Sequence, residues 1–168
     1  MSEKIFGPLL DRDLIQETIV TAMSNGGQWA EVFVEDRQSA SADFDEGRVE
    51  SMVSSRDLGA GIRVTVGETT GFAHTADLSP AGLREAARAA AGAARGGDQV
   101  EPVTLRGEGV AHNRAEILPS TVSKARKVEL LRQTDAAARE VDSAITQVSV
   151  RYSEGRRRIL VANSDGIF

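Results

Sequence analysis

Between Ala30 and Thr75 the chain reads AEVFVEDRQSASADFDEGRVESMVSSRDLGAGIRVTVGETTGFAHT, and no other stretch narrows the possible folds so far. Apolar and polar residues alternate along it, the two-residue period of strands with one face buried and one face wet. Turn chemistry interrupts the alternation at Asp45-Glu46-Gly47, at Asp57-Leu58-Gly59 and from Gly67 to Gly71. The pattern predicts five successive antiparallel strands, over residues 30–35, 38–44, 49–55, 61–66 and 71–75. In the first, Val32 and Val34 point one way and Glu31, Phe33 and Glu35 the other; in the second, Ala40, Ala42 and Phe44 share a half-wet face. The fourth, with Ile62, Val64 and Val66 on one side, is the expected central strand.

Helical spacing appears on either side of this block. Asp11 is placed to cap a helix that runs to about Asn25, with Ile15, Ile19, Ala22 and Met23 on one face and Gly26-Gly27 beyond its end. Leu78-Ser79-Pro80 pairs a capping serine with a proline at the first helical position, and a helix to about Ala94 follows. Its buried stripe is expected to be Leu83, Ala87, Ala90 and Ala94, small side chains that let a helix come close to a sheet. A third helix is predicted over residues 123–141, with Val128, Leu131, Ala138 and Val141 inward and Lys124, Arg132 and Arg139 outward. Residues 145–152 and 157–163 read as a terminal hairpin turning at Glu154-Gly155, after which Asn163-Ser164-Asp165-Gly166 has turn composition and gives the segment a cut look. Arg95 to Glu116 lacks periodicity and reads as a surface excursion able to contact a ligand. The fold class is thus α/β of the α+β kind, a single domain over residues 1–168 with three main helices against a largely antiparallel sheet of about seven strands.

Charge and composition exclude several functions. With 25 Asp and Glu against 20 Lys and Arg the net charge is −5, and only residues 121–168 are basic, with nine cationic side chains against six acidic ones. One Arg156-Arg157-Arg158 run in an acidic chain that is 4% aromatic is a poor nucleic-acid signature and reads as a solvated strand edge or turn. No cysteine is present, which removes disulfides, thiolate metal ligands and cysteine nucleophiles. The charged start MSEKIFGPLLDRDL does not resemble a signal peptide, and no window has the apolar length of a membrane span. A cytoplasmic location and no membrane partner are expected.

Local motifs for chemistry are few. The two histidines, His74 and His112, stand far apart and outside any His-Glu-x-x-His array, so a zinc site of ordinary spacing cannot be assembled from them. Asp43, Asp45 and Glu46 invite an acid-base or metal reading, but the adjoining turn uses such residues and no partner that would split their pKa values is evident. Gly59-Ala60-Gly61 and Gly67 to Gly71 lie between strands, whereas a phosphate cradle needs a strand before its glycines and a helix after them. They read as turn glycines.

The ordered set Ala30-Glu31-Val32-Phe33-Val34, Asp45-Glu46-Gly47-Arg48-Val49, Gly59-Ala60-Gly61-Ile62-Arg63-Val64, Gly67-Glu68-Thr69-Thr70-Gly71-Phe72-Ala73 and Leu78-Ser79 resembles the amino-terminal domain of the TldD/PmbA family, on the TldD side. Lys127-Val128-Glu129-Leu130-Leu131, residues 148–152 and Leu160-Val161-Ala162-Asn163-Ser164-Asp165-Gly166 follow in the family's order, so the resemblance covers nearly the whole chain. It implies cytosolic zinc metallopeptidases, once described as modulators of DNA gyrase, that act on peptides and poorly folded proteins and assemble from two subunits. The zinc of such enzymes is held by an extended His-Glu-x-x-x-His motif in the carboxy-terminal half. No residue here matches that motif, so neither a zinc ligand nor a catalytic glutamate carries over, and this chain alone is expected not to hydrolyse peptides.

What the resemblance leaves for these residues is a wall of the substrate channel and contact with a second TldD/PmbA-type subunit. The expected surface comprises Arg63, Gly71, Phe72 and His74: a sheet edge accepts an extended peptide through main-chain hydrogen bonds, and an arginine offers a carboxylate partner. The competing class is a stand-alone, non-enzymatic protein-interaction module. A downstream His-Glu-x-x-x-His motif separates the two.

Overall fold

The computed structural model describes residues 10–94, 104–105 and 116–168. Its elements run α1 (Arg12–Ala22), β1 (Trp29–Asp45), β2 (Arg48–Val66), β3 (Thr69–Thr75), α2 (Pro80–Ala93), a short 3-10 turn (Pro119–Thr121), α3 (Lys124–Arg139) and β4 (Ser149–Asn163). The four strands form one sheet in the order β3-β2-β1-β4, in which β2 and β3 are antiparallel.

Three helices and an antiparallel sheet agree with the expectation; the strand number does not. Residues 30–35 and 38–44 belong to one strand, as do 49–55 with 61–66, and the expected terminal hairpin is the single strand β4, which passes straight through Glu154-Gly155. Residues 145–148 precede it and are not strand. The physical difference lies in the backbone. Glu46, Gly47 and Gly67 have positive φ (47°, 78° and 55°) and reverse the chain, whereas Gly59, Gly61 and Gly155 do not and lie within strands. A glycine between polar residues signals a turn only where the backbone enters the left-handed region.

The chain divides into two compact units: Met1–Asp36, Asp57–Ala111 and Arg158–Phe168 make the first, Arg37–Arg56 and His112–Arg157 the second. In the first, Ala30, Val32, Val34, Ile62, Val64 and Val66 are buried in one cluster with Ile15 and Ile19 of α1 and Leu83, Ala87 and Ala90 of α2. Both helices carry the expected caps: the Asp11 carboxylate accepts the Leu14 N–H at 2.8 Å and the Ser79 hydroxyl accepts the Gly82 N–H at 3.2 Å. The predicted stripe Leu83, Ala87, Ala90 and Ala94 is fully buried. Leu105, from the segment read as a surface excursion, is buried in the same cluster. His112 lies outside the described residues.

Asp36 is also buried in this unit and is held by the Arg158 guanidinium, whose side chain is 28% exposed. Of the three consecutive arginines, Arg158 is therefore structural.

The second unit has a smaller apolar core of Ala42, Phe44 and Leu131, with Val150 and Tyr152 packed against it. Here α3 departs from the expected pattern. Its buried positions are Lys127, Leu131 and Asp135, while Val141 is 77% exposed. The four-residue spacing is helical, but two of the three positions are charged. Lys127 reaches Glu154 at 2.6 Å with the Tyr152 ring 5.8 Å away, and Asp135 pairs with Arg139 at 3.2 Å. Paired charges take inward positions that a hydrophobicity pattern assigns to valine and alanine.

Candidate functional site

The sheet in the first unit has one face under α1 and α2 and, among the described residues, an opposite face that no helix covers. On β1 the residues alternate strictly: Ala30, Val32, Val34 and Asp36 are buried, and Glu31, Phe33 and Glu35 between them remain partly exposed. β2 continues the pattern, with Ile62, Val64 and Val66 inward and Gly61, Arg63 and Thr65 on the open side. Register carries it to β3, where Gly61 stands opposite His74, Arg63 opposite Phe72 and Thr65 opposite Thr70. Cross-strand partners share a face, so Arg63, Phe72 and His74 lie together on the open side.

Gly71 does not join them. It is opposite buried Val64, and a Cβ there would come within 2.1 Å of the Ala90 carbonyl oxygen and 2.8 Å of the Ala94 nitrogen. Its hydrogen is the surface on which α2 rests. The absence of a side chain at Gly71 serves packing, and the small residues of the α2 stripe are its counterpart.

Phe72 is 60% exposed. Its ring stacks with the imidazole of His74 at a centroid distance of 6.3 Å and lies over Gly61, where a Cβ would meet the ring atoms at 3.3 and 3.4 Å. An aromatic ring covering a cross-strand glycine recovers buried area that the glycine alone forfeits. Gly59 is similarly close to the end of β3, its Cβ position 3.0 Å from the Thr75 carbonyl oxygen. The two glycines, read from sequence as a turn, form the floor of a groove of about 380 Å³ whose lining includes Phe33, Glu35, Asp57, Phe72 and His74.

Arg63 is differently engaged. Its guanidinium lies 3.3 Å from Glu31 and 5.1 Å from the centroid of the Trp29 indole. The Trp29 Nε1–H in turn donates to Asp165 at 2.8 Å. The arginine therefore already has a carboxylate partner and an aromatic support, and it is absent from the groove lining.

The acidic positions flagged in the sequence find partners in the second unit. Asp43, for which no basic partner was evident, accepts from Arg151 at 2.5 Å and from Ser51 at 2.7 Å, and these hydrogen bonds, with the Arg151 charge, hold its carboxyl below the usual range. The Arg151 guanidinium is correspondingly raised. Asp45 accepts from Ser149 at 2.7 Å, and Glu46 occupies the turn. Around Lys127, burial raises the Glu154 carboxyl, but hydrogen bonds from Lys127 and Tyr152 and the Lys127 charge outweigh it and leave Glu154 lowered. The Tyr152 hydroxyl is raised, chiefly by donating to Glu154 at 2.6 Å. Both clusters are stabilised ion pairs rather than acid-base pairs poised near neutrality.

A metal centre is a further possibility raised by the resemblance. Among the described residues no group of three His, Cys, Asp or Glu side chains is arranged to hold a metal ion. His74, stacked on Phe72, belongs to no such group.

Two family profiles match the chain: PmbA/TldA metallopeptidase domain 1 over residues 30–94 and the PmbA/TldA metallopeptidase central domain over residues 117–168. The chain belongs to the TldD/PmbA family. It is 29% identical over 141 residues to a metalloprotease TldD homolog of Haemophilus influenzae, an alignment covering 82% of this chain and 29% of that protein. A TldD homolog of Buchnera aphidicola is also 29% identical, over 111 residues, 66% of this chain and 23% of the relative. The chain thus spans less than a third of the length of these TldD/PmbA proteins. A proposed modulator of DNA gyrase from Bacteroides thetaiotaomicron shares its fold at a TM-score of 0.69 and 18% identity, over 93% of this chain and 37% of that one. TldE from Thermococcus kodakarensis does so at 0.65 and 19%, over 91% and 35%. Among the described residues no helix is long and apolar enough to cross a membrane.

Proposed function

We propose that this chain is the amino-terminal, non-catalytic part of a TldD-like zinc metallopeptidase acting on peptides or unfolded proteins, and that it supplies a wall of the substrate channel and contact with a second TldD/PmbA-type subunit. The observation that carries the reading is the place of β3. It closes one edge of the sheet, no strand lies on its outer side among the described residues, and its open-face side chains Phe72 and His74 stand exposed beside a groove. An extended peptide added along β3 would bond through its main chain, which suits substrates of varied sequence. Exposed aromatic rings would then contribute contact area at little cost in side-chain entropy.

Family membership supports the peptidase setting, and the likeness to TldE supports a TldD/TldE-type pairing. The proposal gives this chain no step in bond cleavage, since no residue of its sequence matches the His-Glu-x-x-x-His motif. Cytoplasmic location belongs to the same reading.

The test is the pair Arg63→Ala and Phe72→Ala in a full-length family enzyme carrying this segment. Truncating exposed contact residues of these types is expected to lower kcat/KM on an unfolded protein, or the affinity between subunits, by about tenfold. Unchanged turnover together with unchanged assembly contradicts the proposal.

A further inference from the structure

The arginine run read from sequence as solvated does not act as one group. Arg158 holds Asp36, and Arg157 has an interaction partner as well. Arg156 differs from both. Among the described residues of the second unit, the cationic side chains withdrawn from solvent are Lys127, Arg139 and Arg156. The first two are paired, with Glu154 and Asp135. The half-buried Arg156 guanidinium has no carboxylate partner among the described residues, so its lost hydration is not offset by an ion pair.

Arg156 lines a cavity of about 500 Å³ that lies within this unit, together with Gln38, Ser54 and Ser120, whose amide and hydroxyls are further donors. Arg56 also lines it but is already engaged. The carboxylate in the lining, Glu154, is met by Lys127 at 2.6 Å and by the Tyr152 hydroxyl at 2.6 Å. Arg156 is therefore the unmatched charge of the cavity among the described residues.

One guanidinium presents a planar fork of donors that matches one carboxylate, whereas a phosphate dianion calls for a second available cation. We infer that this cavity binds a peptide through a carboxylate, which takes the Arg156 fork with the Ser54 and Ser120 hydroxyls beside it. A volume of about 500 Å³ also holds the residue that bears the group. The inference rests on the reading of this chain as one that binds peptides. It adds a contact in the second unit, where β3 does not lie, and a selection by charge that main-chain bonding to β3 does not supply.

The test uses peptides of one strand-forming sequence, labelled at the amino terminus, titrated into the 168-residue chain and followed by anisotropy. One has a free C-terminal carboxylate, one is amidated, and one is amidated with its last residue exchanged for glutamate. The carboxylate comes from the terminus in the first and from a side chain in the third. At least one of these two is expected to bind about tenfold more tightly than the uncharged amide, and the one that does so assigns the source. Added salt narrows the gap, and Arg156→Gln removes it while leaving the amidated peptide unaffected. Equal affinity for all three peptides, or tighter binding of the uncharged amide, overturns the carboxylate site and leaves strand addition standing. A gap that survives Arg156→Gln overturns it likewise. No binding by any of them overturns both readings. Because the first comparison is between peptides on the unaltered chain, it does not depend on the variant folding.

Discussion

Gly71→Ala is expected to destabilise the first unit by about 3 kcal/mol, and Gly71→Val by more, as overpacking does in a filled core. The added methyl group would lie 2.1 Å from the Ala90 carbonyl oxygen and 2.8 Å from the Ala94 nitrogen. Both are backbone atoms of the α2 end, so no rotamer change relieves the clash, and either α2 or β3 must move. Moving α2 disturbs Leu83, Ala87 and Ala90, all buried against the sheet. The companion change Gly61→Ala separates this mechanism from a general intolerance of side chains in β2 and β3. Its methyl meets only the Phe72 ring, at 3.3 Å, and that ring is 60% exposed and free to tilt. Thermal melts should show Gly71→Ala lowered by roughly 6–12 °C, from about 2–4 °C per kcal/mol for a chain of this size, with Gly61→Ala close to the parent. Equal shifts for the two variants would refute the packing account of Gly71.

The second large effect concerns Asp36 and Arg158. The aspartate side chain has no exposed surface, and the arginine that pairs with it is largely covered. Arg158→Ala is therefore expected to cost about 3 kcal/mol, because it takes from a buried carboxylate the guanidinium that pairs with it. Replacing both members, Asp36→Val with Arg158→Met, should recover much of that loss, since apolar side chains of similar size often substitute for a buried pair without penalty. A double-mutant cycle in denaturant measures the coupling. If the two single substitutions and the double one were additive, the pair would not be the unit described here.

Much of the first unit was legible because its signals agree with one another. Asp11 and Ser79 stand at helix starts, Ile15 and Ile19 recur at helical spacing, and Val32, Val34, Ile62 and Val64 alternate. Two of the three expected strand breaks that the structure lacks share one physical reason. Asp57-Leu58-Gly59 and Glu154-Gly155 have the composition of turns, but an extended glycine and a left-handed glycine are the same letter. At the expected strand turns Gly47 and Gly67 take the second conformation, and Gly59 and Gly155 do not. The same ambiguity hid the groove, whose floor is Gly59 and Gly61.

In the second unit the inward face of α3 was misread because Lys127 and Asp135 are buried as ion pairs with Glu154 and Arg139. Arg139 stands only four positions from Asp135, whereas Glu154, 27 positions from Lys127, leaves no local trace. Arg151, the partner of Asp43 from 108 positions away, escaped for the same reason. Of the four expected contact residues, alternation with strand register gathers Arg63, Phe72 and His74 on one face and sends Gly71 to the other. A two-residue period applied to residues 71–74 alone separates Gly71 from Phe72 and His74, and that signal was available.

The claim on which the functional account turns is that β3 is an open edge where an extended peptide adds as a strand. Amide hydrogen exchange along Thr69–Thr75, with and without a saturating extended peptide, tests it directly. The account predicts slowed exchange at alternate β3 amides, those directed away from β2, with the amides of α1 and α2 unchanged. A peptide that binds while every β3 amide exchanges at its free rate would contradict it.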